Sequence, residues 1–126
     1  MRDLPEIVQT AWNKREAAAV LTTVGEDGTP NTIYVNWCGL MDRRHVLIGD
    51  VEFGKTLANI KEGQSVGSFL FFAPGFAAYQ LKGRISYYTE GSVYDFAKSL
   101  SDSDSNLRGV LDLEIFEAFQ GSQRLM

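Results

Sequence analysis

The segment GDVEFGKT, from Gly49 to Thr56, matches the phosphate-loop pattern G-x-x-x-x-G-K-[ST] at every fixed position. Such a loop brings backbone amides, a lysine and a hydroxyl to the start of a helix, where they can bind a phosphate group. Two carboxylates, Asp50 and Glu52, lie in the same loop and would repel a polyphosphate unless they pointed away from it. The segment therefore indicates an anion site and leaves open whether the anion is a nucleotide, another phosphate or nothing at all.

Few other residues suggest chemistry of their own. His45 is the only histidine and Cys38 the only cysteine, and neither stands in a cluster of metal-ligating residues at the usual spacing. We predict that His45 begins a strand, that Cys38 is a buried structural thiol and that no metal is bound. Catalytic residues stay unassigned, because the sequence contains no evident acid–base pair or activated nucleophile. This is consistent with a cofactor that carries the reaction, and equally with a protein that carries out none.

Composition and charge exclude several classes of protein. The chain has 126 residues, of which 44% are hydrophobic and 22% charged, as is typical of a single globular domain, predicted over residues 1–126. A net charge of −4 disfavours nucleic-acid binding through a basic surface. No apolar run approaches the roughly 20 residues that span a bilayer, and the N-terminal segment lacks the apolar core of a signal peptide. With a single cysteine, these features predict a cytoplasmic protein with no membrane or nucleic-acid partner.

Apolar periodicity and turn signals divide the chain into three helices and six strands. The helices are predicted over residues 3–15, 55–63 and 91–102, and the strands over residues 17–25, 31–41, 45–51, 65–72, 76–90 and 110–120. Gly83 predicts a bulge or a sharp bend in the long fifth strand. A polar loop over residues 101–106 precedes the last strand, whose alternation is typical of a strand with one solvent face. Consecutive strands joined by short turns predict an antiparallel sheet or small barrel.

This arrangement argues against a nucleotide hydrolase. Phosphate-loop enzymes need a parallel sheet, whose crossover connections take a dozen or more residues each, and the chain has one such crossover at most. The helix that follows the loop is also short, at about two turns. A single terminal phosphate bound by Lys55, Thr56 and the free amides of the helix start remains compatible with the pattern. The pattern is also compatible with a surface lysine beside a threonine that caps the helix, without any bound phosphate.

An ordered set of segments resembles a known family. The segments GEDGTP, TIYVNW, HVLIGD, GKTLANIKEG and SVGSFL resemble the FMN-binding split β-barrel family related to pyridoxamine 5′-phosphate oxidase, and especially its small FMN-binding members. The later segment YQLKGRISYYTEGSVYDFA resembles the long strand of that family and the helix behind it, so the resemblance covers about residues 17–98. It implies a six-stranded antiparallel Greek-key split β-barrel. It also implies a homodimer with FMN at the interface, and flavin-dependent electron or hydride transfer.

The same resemblance implies a cofactor site. The first two residues of the helix after the loop would hold the FMN phosphate, and the second strand would line the flavin ring and the ribityl chain. The end of the third strand would lie close to the same flavin, and two positions on the long strand would add contacts. The implied cofactor-binding residues are Ile33, Tyr34, Val35, Asn36, Gly49, Asp50, Lys55, Thr56, Gln80 and Lys82.

Two departures from the family pattern narrow the expectation. Members often add an arginine from the flavin-lining strand to the phosphate site, whereas residues 31–37 contain neither Arg nor Lys. Phosphate affinity would therefore depend more on Lys55, Thr56 and backbone amides, with Arg84 or Lys82 as additional candidates. The oxidase itself is longer and has a basic C-terminal motif, whereas this sequence ends in GSQRLM. We therefore expect an electron carrier or oxidoreductase other than the true oxidase, with a protein or small molecule as redox partner. The alternative is a non-catalytic barrel for haem, deazaflavin or another ligand.

Overall fold

The computed structural model describes residues 3–35, 37–75, 77–101 and 106–126. The expected site residue Asn36 and most of the predicted polar loop at 101–106 lie outside these residues. The helices are α1 (Glu6–Asn13), α2 (Lys55–Lys61) and α3 (Ser92–Leu100), and the strands are β1 (Ala19–Val24), β2 (Pro30–Tyr34), β3 (Cys38–Leu40), β4 (His45–Asp50), β5 (Val66–Ala73), β6 (Ala77–Tyr88), β7 (Gly109–Gln120) and β8 (Gln123–Arg124). Within the described part of the chain, no helix is long and apolar enough to cross a membrane.

One sheet contains all eight strands, in the order β2-β1-β5-β6-β7-β4-β3, with β8 paired to β7. Every pairing between these strands is antiparallel, and the sheet curls around its core as the expected split barrel. The strand count exceeds the expected six for two reasons. The predicted strand at 31–41 divides in two, because the chain leaves β1 after β2 and pairs with β4 as β3. The two-residue strand β8 then returns onto the end of β7.

The inner face of the curled sheet encloses the main core. Phe69 and Phe71 of β5 are fully buried there, and the ring centroid of Phe71 lies 5.1 Å from that of Trp12. Trp12 belongs to the apolar face of α1, which packs against this strand together with Val8 and Ala11. Each buried side chain of this size contributes roughly 1.5–3 kcal/mol. The aromatic cluster therefore fixes α1 and the central strands as one unit.

A second, smaller core lies on the outer face of β4 and β7. Leu47 and Val110 are buried there against Ala97 of α3 and Leu107. The expectation that the last strand has one solvent face is therefore wrong for its first half, since residues 109–113 are buried on both faces. The outer face of β1, β5 and β6 has no such cover in the described chain.

The register between β6 and β7 shifts at Gly83, which confirms the predicted irregularity. Lys82 pairs with Glu117 and Gly83 with Ile115, so that Phe116 of β7 is the extra residue. A Cβ on Gly83 would lie 2.5 Å from the carbonyl oxygen of Glu114, so this close approach of the strands requires glycine. The bulge leaves the Phe116 side chain exposed on the outer face.

Polar contacts hold α2 against the β1–β2 hairpin. Thr56 and Asn59 are both fully buried. The side-chain amide of Asn31 donates a hydrogen bond to the Thr56 hydroxyl at 3.0 Å, and that of Asn59 donates one to the Thr23 hydroxyl at 3.0 Å. Ile60 adds an apolar contact to the main core. These contacts determine where the first turn of α2 stands.

Candidate ligand-binding cleft

A cleft of about 190 Å³ lies between the end of β2 and the segment that joins β4 to α2. Its lining residues are Ile33, Tyr34, Gly49, Val51, Glu52, Phe53 and Gly54. Lys55, the first residue of α2, follows this lining directly. The loop that matches the phosphate pattern thus forms one wall of the cleft. The strand expected to line a flavin contributes to the opposite wall.

The start of α2 provides positive charge next to this cleft. Lys55 is exposed, whereas Thr56 is buried with its hydroxyl bound by Asn31. The hydrogen bonds from Thr29 lower the pKa of Asp27, and the charge of Lys55 adds a small part of that effect. Lys55 therefore lies near the turn between β1 and β2. The first amides of a helix have no intrahelical partner and carry a partial positive charge, so they add to the lysine.

The structure brings only some of the expected site residues together. Ile33, Tyr34 and Gly49 line the cleft, and Lys55 stands at its edge. Val35 is 3% exposed and lies in the core, where its amide donates to the carbonyl of Ala19 at 2.9 Å. Its side chain therefore belongs to the barrel interior.

Gln80 and Lys82 lie on the outer face of the sheet, well away from the cleft. Tyr34 pairs with Val20, Val20 with Leu70, and Leu70 with Gln80, which makes one row of side chains across four strands. Three strand spacings separate Tyr34 from Gln80, about 14 Å. Lys82 lies two residues further along β6 on the same face. One ligand cannot easily fill the cleft and contact both residues within a single chain.

Asp50 is engaged by a different set of partners. It is fully buried, and its Oδ1 accepts hydrogen bonds from the Phe53 amide at 2.8 Å and from Arg108 Nη2 at 2.9 Å. Its Oδ2 accepts a short hydrogen bond from the Tyr87 hydroxyl. Burial and the bond to Asp50 raise the pKa of Tyr87, and the bond to Asp50 raises the pKa of Arg108. Both partners therefore keep their protons and remain donors.

Sequence reasoning missed Arg108 and Tyr87, as well as the two asparagines that hold α2. Arg108 and Tyr87 are separated from Asp50 by 58 and 37 residues, and only the pairing of β4, β6 and β7 brings them together. No local spacing could have indicated these contacts. For Asn31, its place at the β1–β2 turn was a weak signal, because turn residues often bond neighbouring segments through their side chains.

The comparison with known proteins identifies the family. The family model described as pyridoxamine 5′-phosphate oxidase matches residues 4–119. The chain belongs to the pyridoxamine 5′-phosphate oxidase family. This confirms the resemblance drawn from the ordered segments. No curated protein matches the chain.

Solved structures agree on the fold of this pyridoxamine 5′-phosphate oxidase family member. HupZ from Group A Streptococcus is similar with a TM-score of 0.83 at 20% identity, covering 98% of each chain. An FMN-binding protein from Syntrophomonas wolfei subsp. wolfei is similar with a TM-score of 0.75 at 18% identity, covering 93% of this chain and 84% of that one. An F420 reductase is similar with a TM-score of 0.68 at 17% identity, covering 92% of this chain and 98% of that one. At these identities the likeness shows the fold.

The cleft of this pyridoxamine 5′-phosphate oxidase family member suits an elongated ligand with an anionic end. Lys55 and the free amides of α2 stand at one side, and the apolar and aromatic side chains of Ile33 and Tyr34 stand at another. The carboxylates of Glu52, which lines the cleft, and of Asp27, near Lys55, are unfavourable for an anion, and both are exposed to solvent. The residues present therefore fit a flavin that carries a phosphate.

Proposed function

We propose that the protein binds FMN in this cleft and uses it for electron or hydride transfer. The main support for this proposal is that two elements lie at one cleft. One is the end of β2, with Ile33 and Tyr34, and the other is the loop that leads into Lys55. A phosphate and a flat ring require these two kinds of group in one place. Membership of the family supports the same ligand.

Each residue has a role in this proposal. Lys55 pairs with the phosphate, and the amides of the first turn of α2 donate hydrogen bonds to it. The buried hydroxyl of Thr56, bound by Asn31, holds that turn in place. Ile33 and Tyr34 contact the ring, and Gly49 lines the cleft at the end of β4. Bound FMN would supply the electron or hydride transfer, and the protein supplies binding, orientation and exclusion of water.

A homodimer completes the site in this proposal. The cleft of about 190 Å³ is smaller than the roughly 300–1,000 Å³ of typical small-molecule pockets. The outer face of the sheet carries exposed Tyr34, Val66 and Phe116, together with Gln80 and Lys82. A second copy docked on this face would cover the apolar side chains and bring its own Gln80 and Lys82 towards the cleft.

We further propose a cytoplasmic location, and a protein or small molecule as redox partner.

The experiment that tests the proposal is a visible absorption spectrum of the purified protein after FMN is added and the excess removed. Retained flavin bands at about one FMN per chain support it. Loss of the flavin on desalting contradicts it. The same experiment with the deazaflavin F420 and with haem decides whether the barrel prefers another ligand, and preferential retention of either would replace FMN in the proposal.

A further inference from the structure

The side chain of Asp50 acts on the loop that forms one wall of the cleft. We propose that Asp50, together with Arg108 and Tyr87, is a positioning residue that fixes residues 51–54 and thereby the approach to Lys55. The effect on the ligand rests on the proposed function, whereas the effect on the loop does not.

Two hydrogen bonds hold Phe53 in the loop, and a third joins the two side chains that make them. The Phe53 amide donates to Asp50 Oδ1 at 2.8 Å, and the Phe53 carbonyl accepts from Arg108 Nη2 at 2.8 Å. The same Nη2 donates to Asp50 Oδ1 at 2.9 Å, so one guanidinium and one carboxylate engage both backbone groups of Phe53. The Arg108 amide also donates to the Asp50 carbonyl at 2.8 Å, which ties β7 to the start of the loop. Phe53 and Gly54 both line the cleft.

Tyr87 supports the carboxylate from the opposite side. Its hydroxyl donates to Asp50 Oδ2, and its ring packs against the main core. A Cβ on Gly109 would collide with the Tyr87 hydroxyl, so glycine at the start of β7 creates the space that the tyrosine occupies. Asp50 is thus held from β6 and β7 while it holds the loop. Hydrogen bonds to this fully buried carboxylate depend on angle, so its three donors fix the loop more closely than an apolar contact would.

A loop without this fixation would populate several conformations. Only one of them leaves the start of α2 open to a phosphate, so a ligand gains the contact with Lys55 only in the fraction of molecules that have this conformation. Asp50 therefore acts on a ligand through the loop and need not touch it. This differs from the direct flavin contact that the family resemblance implies for Asp50.

The first test uses the flavin-free protein and amide hydrogen exchange measured by NMR. In Asp50→Asn, the Phe53 amide should exchange about tenfold faster or more, because its charge-assisted hydrogen bond to the carboxylate is lost. Amides in the middle of β5 should be unchanged. Asp112→Asn is the matched control, since Asp112 is another buried aspartate of the same sheet and has no contact with this loop in the described chain. Unchanged exchange at Phe53 overturns the proposal.

A second variant keeps the test decisive if Asp50→Asn does not fold. The Arg108 side chain is 47% exposed, so Arg108→Gln should be tolerated, and it should accelerate exchange at the Phe53 amide. Arg108→Lys should restore part of the protection, because a lysine keeps the charge. Equal exchange in wild type and Arg108→Gln overturns the proposal as well.

The consequence for the ligand is measured as FMN affinity in a double-mutant cycle. Asp50→Asn should weaken FMN binding about tenfold, and Lys55→Ala should have a smaller effect in that variant than in wild type, because the phosphate then reaches the lysine in only a fraction of the molecules. Additive effects overturn the positioning role. If the wild-type protein binds no FMN, the proposed function fails, and the exchange experiment still decides whether Asp50 fixes the loop.

Discussion

Lys55 is exposed at the first position of α2, directly after the residues that line the cleft. In the proposed FMN complex, substitution by alanine would remove a charge-assisted contact to the phosphate, a loss of about 1.5–3 kcal/mol. We therefore expect Lys55→Ala to weaken FMN binding roughly 10- to 100-fold, measured by titration of flavin fluorescence. Lys61→Ala, in the last turn of the same helix, is the control and should bind FMN as wild type does. An equal loss of FMN affinity in both variants would mean that net charge, and not the position of Lys55, determines binding.

His45 has carboxylates near both of its ring nitrogens. Its Nδ1 lies 2.8 Å from Asp42 Oδ1, and its Nε2 lies 3.3 Å from Glu114 Oε2. Burial lowers the pKa of His45, but the hydrogen bond to Asp42 and the charges of Asp112 and Asp42 outweigh it, so the pKa is raised overall. A raised pKa stabilises the folded state while the imidazole is protonated. This contribution is complete below the ordinary histidine value of about 6.5 and is lost as the pH rises through the higher folded value.

The free energy of unfolding should therefore fall as the pH rises above about 6.5 and through the raised folded value. His45→Gln should flatten this slope, because glutamine has no proton to lose in the range. Urea unfolding at a series of pH values gives the measurement. An identical slope in the variant would mean that another group controls the dependence.

At the level of single residues, the sequence predicted where a residue lies in a helix or strand better than it predicted which residues contact each other. His45 does begin a strand, and Lys55 does begin a helix beside the end of β4, because caps, turns and periodicity are local properties. The engagement of Asp50 by Arg108 and Tyr87 depends on how three strands pair, which no local pattern specifies. The direct contacts expected of the site residues with FMN remain predictions.

At the level of elements, Gly83 is the most constrained position in the long strand β6. An added methyl group would lie 2.5 Å from the Glu114 carbonyl oxygen and 2.9 Å from the Leu113 side chain. We expect Gly83→Ala to lower the free energy of unfolding by about 1–3 kcal/mol, measured by urea unfolding. Gly39→Ala is the control, because a Cβ there would make ordinary contacts of 3.5 Å with Trp37. Equal stability of the two variants would show that the strands can separate at the bulge without cost.

The sequence predicted most elements, and its errors have physical causes. Alternation and turn residues are local signals, and they gave the hairpins, the three helices and the irregularity at Gly83. The division of the second predicted strand was missed, because the chain changes partner there without a break in β propensity. The burial of both faces of early β7 was missed, because it requires knowing that α3 packs on the outer face.

At the level of the whole molecule, the uncovered outer face of the sheet predicts self-association. Val66 and Ile7 are each 48% exposed, but only Val66 lies on that face, next to Phe116. We expect the wild-type protein to have twice the mass of one chain in light scattering. Val66→Glu should shift it towards the monomer, because an interface buries the new charge, whereas Ile7→Glu should leave the mass unchanged. A monomeric wild type with bound flavin would contradict the dimer.

The way α2 is attached has a consequence for the direction of its first side chain. Apolar contact has no direction, so a helix held by it alone can rotate about its axis at little cost. Hydrogen bonds weaken steeply when their angle is wrong, and α2 has two of them, from Asn31 to Thr56 and from Asn59 to Thr23, on its buried side. The helix is therefore held in one rotation about its own axis. The direction in which the Lys55 side chain leaves the helix is set by two uncharged amides, those of Asn31 and Asn59.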